Sequence, residues 1–519
     1  MNYYYTAKDV AEPMKRESTE NGQKSKADSR HAANKAAHPA SRHAGARKPA
    51  SKKPGLGGSG SASGRAALKP TARDAALKVL THVEEAGAYS NLKLNQILKE
   101  SDLPRQDAAL ATEIVYGTIQ RRNTIDYYLA KLVTKGDKGL SKLQPWVLSL
   151  LRMSLYQLLY LERVPDHAIV SEAVNIAKRK GHQGISGMVN GVLRSAIRRR
   201  EELILPDGLD DTKRIALQYS HPEWLVRRWI AQHGVDACER ICAANNEAPH
   251  VSIRANVLRG EAAGLLERLR GEGLDAQLSA LSPSGIVVSS GGNMALAAGF
   301  AKGDYSVQDE SSMLVAEALE PKPGMKVLDC CAAPGGKTAH IAEKMGDTGE
   351  VWACDLHPHK QKLIDEQAER LGLESVRTFV KDARELSEEF APESFDRILL
   401  DAPCSGFGVI RRKPDLKWSK QESDIKEIRS VQKSILEAVH GLLKPGGILI
   451  YSTCTIEREE NEAAVEQFLK AHTEFKLDPI PAENWPDSGM SGQASSGMIR
   501  ITPDQYGTDG FFIARLRKE

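Results

Sequence analysis

Apolar residues recur at helical spacing through a long part of the chain that begins near Thr71 and ends near Arg200. Steps of three and four residues place side chains on one face of an α-helix. Tyr127, Tyr128 and Trp146 add aromatic bulk to the expected core. The sequence therefore predicts an all-α domain over residues 71–205. Two of the repeats consist of Ala75, Ala76, Val79, Leu80 and Val83, and of Leu148, Leu151, Leu155, Leu158 and Leu159.

From Asp304 onward, short apolar runs alternate with amphipathic segments. The runs cover residues 327–329, 351–355, 376–380, 398–400 and 448–450. Continuous apolar runs of this length are typical of central strands in a parallel sheet, and the segments between them are typical of crossover helices. We expect a doubly wound, Rossmann-like α/β domain over residues 301–519, with ligands beyond the carboxyl ends of its strands.

The part between these two domains has a mixed pattern. Residues 251–254 and 286–288 are candidate strands, and residues 262–269 between them are a candidate helix. We interpret residues 206–300 as a small α+β module that could also contact RNA. The chain is therefore expected to be multidomain.

Residues 1–70 have the composition of a disordered basic extension. Nine Lys and Arg and no Asp or Glu lie between Arg30 and Lys69, among Ala, Gly, Ser, Pro and His. Such a segment cannot bury a core. It is either a solubilising tail or a basic arm with salt-sensitive attraction to nucleic acid.

Charge and cysteine usage narrow the class of protein. The net charge is +3, and no apolar run approaches the roughly 18 residues of a membrane helix. Seven unevenly spaced cysteines fit a reducing compartment, so we expect a cytoplasmic protein, without membrane contact and most simply a monomer. Cys238 and Cys242 lie four apart without a second ligand pair, so we expect core residues and no metal site.

A glycine-rich turn follows the first expected strand and predicts a cofactor site. A phosphate-binding G-x-x-x-x-G-K-[ST] loop is absent from the sequence, and this turn lacks the G-x-G-x-x-G spacing of dinucleotide-binding turns, so a nucleoside cofactor without phosphates fits better. S-adenosylmethionine is the common one. Asp355 could bind the ribose hydroxyls, Asp382 the adenine amino group, and Asp401 could lie near the methionine end. The turn consists of Cys331, Ala332, Ala333, Pro334, Gly335, Gly336 and Lys337.

Two cysteines follow later strands of the same domain: Cys404, three residues after Asp401, and Cys454. Either could be a small buried core residue. Together with a cofactor turn they favour covalent chemistry on cytosine, because C5 becomes nucleophilic only after a thiolate adds to C6. An acid such as Asp401 would stabilise charge at N3 during that addition. An adenine-N6 methyltransferase would instead carry a D/N-P-P-Y/F loop where this chain has Asp-Ala-Pro-Cys.

At these motifs the catalytic domain resembles the RNA 5-methylcytosine methyltransferases of the Nol1/Nop2/Sun family, and the helical domain resembles NusB, an RNA-binding fold. The resemblance implies Cys454 as nucleophile, Cys404 as the cysteine that assists product release, and S-adenosylmethionine as cofactor. The domain order implies 16S ribosomal RNA as substrate, at cytosine 967. The supporting segments are residues 308–312, 331–338, 401–406, 411–415 and 452–454.

Several alternatives stay open at this point. The chain could be a non-catalytic RNA-binding assembly factor, or could methylate tRNA or another rRNA cytosine. The substrate could be naked 16S rRNA or an early small-subunit particle. The basic end of the helical domain, residues 194–200, is either a solvated terminus or an RNA contact. A second basic set either clamps the RNA backbone or belongs to an ordinary solvated loop: Arg411, Arg412, Lys413 and Lys417.

Overall fold

The structure, a computed structural model, describes residues 70–519 apart from residues 88, 291, 483–484 and 487–488. The predicted basic extension lies outside these residues except for Pro70. Among the described residues, no helix is both long and apolar enough to cross a membrane.

The first part of the described chain is all-helical. Thr71 caps the first helix through a reciprocal capping box with Asp74, which satisfies backbone N–H groups that the helix start leaves free. The apolar side chains that recur at helical spacing pack together in one hydrophobic core, as predicted. The helices are α1 Ala72–Ala86, α2 Ser90–Ser101, α3 Arg105–Gln120, α4 Arg122–Leu132, α5 Asp137–Leu140, α6 Pro145–Tyr160, α7 Asp166–Lys180 and α8 Gln183–Arg198.

A short helical stretch follows and contains both cysteines of the predicted core pair. Cys238 and Cys242 are fully buried, and the Cys238 sulfur lies 3.7 Å from the Val226 carbonyl oxygen, so both are core residues. The helices are α9 Asp211–Gln218, α10 Glu223–His233 and α11 Val235–Ala244.

The central module is an antiparallel sheet packed on a helix. The sheet is four-stranded within the described residues, in the order β2-β3-β1-β4. Helix α12, Ala262–Gly271, covers it with buried leucines, which confirms the expected α+β pattern. The strands are β1 Val251–Ala255, β2 Asp275–Leu278, β3 Gly285–Ser290 and β4 Tyr305–Val307, and the short helix α13 spans Ala298–Ala301.

The last part contains the second sheet, which has eight strands in the described residues and runs β10-β12-β9-β8-β5-β6-β7, with β11 beside β12. Strands β5 to β9 pair in parallel, in agreement with the doubly wound prediction. The strands are β5 Lys326–Asp329, β6 Glu350–Asp355, β7 Val376–Val380, β8 Phe395–Asp401, β9 Leu443–Thr453, β10 Phe475–Leu477, β11 Met498–Ile501 and β12 Phe511–Lys518.

Helices cover both faces of the parallel strands. The helices are α14 Glu310–Leu319, α15 Gly336–Lys344, α16 Pro358–Leu371, α17 Leu386–Glu389, α18 Leu416–Ser419, α19 Glu422–Val439, α20 Glu462–Ala471 and α21 Ser491–Ser495. Short 3-10 turns occur at Arg200–Glu202, Met294–Leu296, Ala383–Glu385, Phe407–Val409 and His440–Leu442.

The basic residues after Cys404 form a junction segment, residues 411–418, and both interpretations of them were wrong for Arg411 and Lys417. Arg411 and Lys417 are buried, neither free for RNA nor solvated. Lys417 donates to the Gln120 carbonyl (2.9 Å) and Arg411 to the Ala244 carbonyl (2.9 Å). These carbonyls end helices α3 and α11, where the last backbone acceptors are left free. Burial lowers the pKa of Lys417 well below its ordinary value. Arg412 forms ion pairs with two buried carboxylates, described below.

The junction segment therefore fastens the helical parts to the catalytic domain. The indole nitrogen of Trp418 donates to the Ile119 carbonyl (2.8 Å), and Ser90 at the start of α2 hydrogen-bonds Asp415. These contacts join residues about three hundred positions apart in the chain. The loop that carries Cys404 thus continues directly into the contact between domains.

Candidate active site

Three neighbouring parallel strands place the predicted site residues at one edge of the sheet. Strand β8 lies between β5 and β9, and its register pairs Leu400 with Tyr451 and Asp401 with Ser452. Parallel neighbours end on the same side. The segments that follow β8 and β9 therefore leave the sheet together.

The two cysteines meet just beyond these strand ends. The sulfurs of Cys404 and Cys454 lie 3.2 Å apart, and both side chains are buried. The Ser405 amide donates to Glu460 (2.9 Å), and the hydroxyls of Ser405 and Thr455 are 2.7 Å apart. Ser405 thus ties the Cys404 loop to the segment that follows Cys454.

Gly408 is required for this close approach. Its amide donates to the Cys454 carbonyl (3.0 Å). A Cβ at position 408 would lie 1.9 Å from the Gly510 carbonyl oxygen and 2.7 Å from the Cys454 carbonyl oxygen. Both contacts are to backbone atoms that cannot rotate away. Any side chain here would push the Cys454 loop from its place.

The sulfur pair keeps a proton on Cys404. The hydrogen bond with Cys454, and then burial, raise the pKa of the Cys404 thiol well above its ordinary value. Either sulfur can be the donor of the hydrogen bond between them. Because a thiolate is the reactive form of cysteine, a thiol that stays protonated is poorly suited to be the nucleophile, and Cys454 is the better candidate of the two.

An ion pair lies beside the thiols. The Lys337 ammonium is 2.6 Å from Asp401 Oδ2, and the Ser452 hydroxyl donates to Asp401 Oδ1 (2.8 Å). Burial alone would lower the pKa of Lys337, but the Asp401 charge outweighs it, and the pKa lies above its ordinary value. Lys337 is therefore a cation, and the Asp401 carboxylate is held by two donors.

The glycine-rich turn opens onto a cleft at the same strand ends. Helix α15 begins at Gly336, and a Cβ on Gly336 would meet open space. Gly335 adopts φ +98° and approaches Ile364 of α16. The cleft is lined by Val307, Gln308, Ser312, Asp329, Cys331, Ala332, Ala333, Pro334, Gly336, Lys337 and Asp401.

Two predicted cofactor carboxylates sit beside the turn, outside that lining. Asp355 accepts from the amides of Ala333 (3.3 Å) and His357 (3.2 Å), which holds the turn against β6. Asp382 forms an ion pair with the Arg384 side chain. Burial opposes ionisation of Asp382, but the bonds from Arg384 bring its pKa below the ordinary value. Their contacts with a cofactor remain predictions.

Asp329 is a site residue that the sequence reasoning missed. It ends β5 and is buried, and its Oδ2 accepts from the Thr338 hydroxyl (2.7 Å). Its Oδ1 has no hydrogen-bond partner within the part of the chain that the structure describes. Burial raises its pKa to about 7. The signal was present, since a carboxylate ends the strand that leads into the turn.

Arg254 was also missed, because it lies in another part of the sequence. This fully buried residue of β1 donates to the Gly336 carbonyl (2.8 Å) and forms an ion pair with Glu343 of α15 (2.7 Å). The central module thereby fixes the start of the helix that follows the cofactor turn. Nothing in the local pattern around position 254 indicates this contact.

The chain matches three family models in an order that follows the structure. Residues 70–198 match the NusB family. Residues 221–295 match the ferredoxin-like domain of RsmF/B-like methyltransferases. Residues 316–517 match the 16S rRNA methyltransferase RsmB/F model. The predicted NusB-like and methyltransferase folds are both confirmed.

Individual relatives agree with these matches. The chain is 45% identical over 452 residues to the probable ribosomal RNA small subunit methyltransferase B of Bacillus subtilis, covering 87% of this chain and 99% of that one. The crystal structure of PH0851 superposes with a TM-score of 0.73 at 29% identity, covering 87% and 100%. NSun6 of Pyrococcus horikoshii, solved with SFG, gives a TM-score of 0.51 at 25% identity, covering 57% and 98%.

The buried carboxyl of Asp329 predicts a pH effect on stability. Its folded pKa of about 7 exceeds the unfolded value of about 4, so the folded state binds the extra proton between these values. This group therefore makes the fold less stable as pH rises through that window. In Asp329→Asn, the fall in the urea midpoint from about pH 5 to about pH 7.5 should be smaller than in the wild type.

The matched control is Glu466→Gln, on the exposed face of α20. It should show the wild-type dependence of the midpoint on pH. An Asp329→Asn dependence equal to that of the wild type would contradict the assignment.

Proposed function

The chain belongs to the RsmB/F family of 16S rRNA methyltransferases, and from this premise we propose that it methylates C5 of cytosine 967 in 16S rRNA through a covalent Cys454 adduct. That it is an S-adenosyl-L-methionine-dependent rRNA methyltransferase follows from the family. The observation that carries the covalent step is the 3.2 Å contact of the two sulfurs, beside the Lys337–Asp401 ion pair.

The cleft has the chemistry that the cofactor needs. S-adenosyl-L-methionine carries positive charge on its sulfonium and amino groups, and Asp329 Oδ1 is a buried acceptor available at the cleft wall. The open space at Gly336 lets a ligand approach the backbone closely. We assign cofactor binding to the turn from Cys331 to Lys337 and to Asp355, Asp382 and Asp401. The cofactor supplies the methyl group as an electrophile.

The Cys454 thiolate forms the bond to C6. Addition at C6 moves the ring electrons toward C5 and N3, which makes C5 able to take the methyl group. The S–H bond from Cys404 keeps the Cys454 sulfur oriented before the attack. Cys454 is buried at the strand end, so the cytosine must leave its stack to reach it.

Lys337 and Asp401 handle the charge that appears at N3. We place Asp401 at N3. As the thiolate adds to C6, N3 takes a proton from Asp401, and Asp401 takes one from Lys337 through their 2.6 Å contact. A preorganised ion pair in a partly enclosed site stabilises such charge without reorganisation of water. The ion pair thus lowers the barrier to addition.

Cys404 assists the last step. A base from solvent takes the C5 proton, and the electrons of the C5–H bond form the C5=C6 double bond as the C6–S bond breaks. Cys454 leaves as a thiolate, and the N3 proton returns to Asp401. The raised pKa of Cys404 keeps a proton on the adjacent sulfur, and its S–H stabilises the departing thiolate. Without this donor the adduct would release the RNA more slowly.

We propose 16S rRNA as the substrate, either free or within an early small-subunit particle, and a single chain as the active unit. The Bacillus subtilis relative is named a probable ribosomal RNA small subunit methyltransferase, and the chain covers 99% of its length. This supports 16S rRNA as the substrate. The NusB match supports an RNA contact by the helical domain.

Cys454→Ala should lower turnover on 16S rRNA by roughly three orders of magnitude or more, because the nucleophile is lost. Cofactor affinity measured by calorimetry should stay near the wild-type value, since Cys454 is not in the cofactor cleft. Cys238→Ala, in the core of the neighbouring helices, is the cysteine control and should retain activity. Methylation retained in Cys454→Ala would exclude it as the nucleophile.

Cys404→Ala should accumulate the covalent enzyme–RNA adduct, because the departing Cys454 thiolate loses its hydrogen-bond donor. A denaturing gel after incubation with RNA and cofactor should show an RNA-shifted protein band. The double variant Cys404→Ala/Cys454→Ala should show none, which assigns the bond to Cys454. A Cys404→Ala protein that turns over at the wild-type rate without a shifted band would remove the release role.

A further inference from the structure

A second cavity adjoins the cofactor cleft and has walls from all three parts of the described chain. It shares Val307 and Gln308 with the cleft, so the two spaces are neighbours at the end of β4. Its further walls come from helices α2 and α3, from the central module, and from the loop after Cys404. These further lining residues are Asn91, Tyr116, Val251, Ser252, Gly292, Asn293, Met294, Asp309, Val409, Arg412 and Lys413.

One wall of the cavity is joined to the loop that carries Cys454. Val409 in this wall follows Gly408, whose amide donates to the Cys454 carbonyl (3.0 Å), and the Lys413 amide donates to the Val409 carbonyl (2.9 Å). The ammonium of Lys413 interacts electrostatically with both Cys404 and Cys454. An RNA whose target base lies at Cys454 therefore brings its neighbouring nucleotides close to this wall.

Two cations, Arg412 and Lys413, line this space. Arg412 forms ion pairs with Asp309 (2.8 Å) and Asp509 (2.8 Å), and the charges of Asp415 and Asp509 also act on Lys413. Burial lowers the pKa of Lys413 to about 8, so an anion in the cavity would favour its charged form. A phosphate group has the charge that suits this environment.

The helical domain holds an aromatic ring and an amide over the same space. Tyr116 lies in α3, one turn before Ile119 and Gln120, whose carbonyls accept from Trp418 and Lys417. Asn91 follows Ser90, which hydrogen-bonds Asp415. The junction segment therefore fixes both residues in place from the catalytic side.

We propose that this cavity receives a nucleotide adjacent to the target cytosine, with its base against Tyr116 and its phosphate at Lys413. The inference rests on the proposed function and makes the helical domain part of the substrate site. Extrusion of a target base unstacks its neighbours, and a base can stack on an aromatic ring whatever its identity. The amides of Asn91 and Asn293 add donors and acceptors for a base edge.

The first test measures kinetics with a 16S rRNA fragment that contains the target cytosine. Tyr116→Ala should raise KM for this RNA roughly tenfold, because it removes a stacking contact with the base. Lys413→Gln should raise KM by roughly the same factor, because it removes the cation at the phosphate. The Kd for S-adenosylmethionine should stay unchanged in both. Lys426→Gln on α19 and Tyr127→Ala in α4 lie outside the cavity and are the matched controls.

The second test uses the wild-type chain, so it does not depend on the folding of a variant. RNA fragments with 4-thiouridine next to the target should crosslink, on irradiation, to the peptides that contain Tyr116 or Lys413. Crosslinks to other peptides only, with an unchanged KM in Lys413→Gln, would overturn the proposal. Failure of the wild type to methylate the fragment would instead refute the proposed function, and the crosslink map would still report on the cavity.

Discussion

The parallel pairing of β8 with β9 is the constraint on which the site depends. Their register places Asp401 beside Ser452, so that Cys404 and Cys454, which follow at short intervals, leave the sheet side by side. The loops then hold the sulfurs at 3.2 Å through Ser405, Glu460 and the close approach of Gly408. The raised pKa of Cys404 keeps a proton on that sulfur, which suits it to the release step and leaves the attack to Cys454.

A second constraint joins the domains to this edge of the sheet. The junction segment, residues 411–418, follows the Cys404 loop and donates hydrogen bonds to the free carbonyls at the ends of α3 and α11. On the cofactor side, Arg254 from the central module binds the Gly336 carbonyl and pairs with Glu343. Buried ion pairs contribute modest net stability, but breaking one leaves an uncompensated charge. Both devices therefore hold the three parts in one relative arrangement around the cofactor cleft and the thiols.

Much of this could be predicted from the sequence, for physical reasons. Apolar periodicity identified the helical domain, and five apolar runs identified the parallel strands β5 to β9. Contacts between residues far apart in the sequence could not be predicted. Arg411 and Lys417 are buried because they donate to carbonyls about 170 and 300 residues earlier in the chain. Strands β10 to β12 also escaped, since β12 ends in charged residues and Arg515 is buried only because Asp478 pairs with it. The domain boundaries and the roles of the individual site residues stay predictions.

Bisulfite sequencing of 16S rRNA can compare cells that lack this gene with the same cells complemented with the wild type or with Cys454→Ala. We expect the deletion strain to lose one 5-methylcytosine, at position 967, and we expect the wild type but not the variant to restore it. A 16S pattern that is unchanged in the deletion strain would contradict the proposed substrate. Restoration by Cys454→Ala would contradict the covalent mechanism.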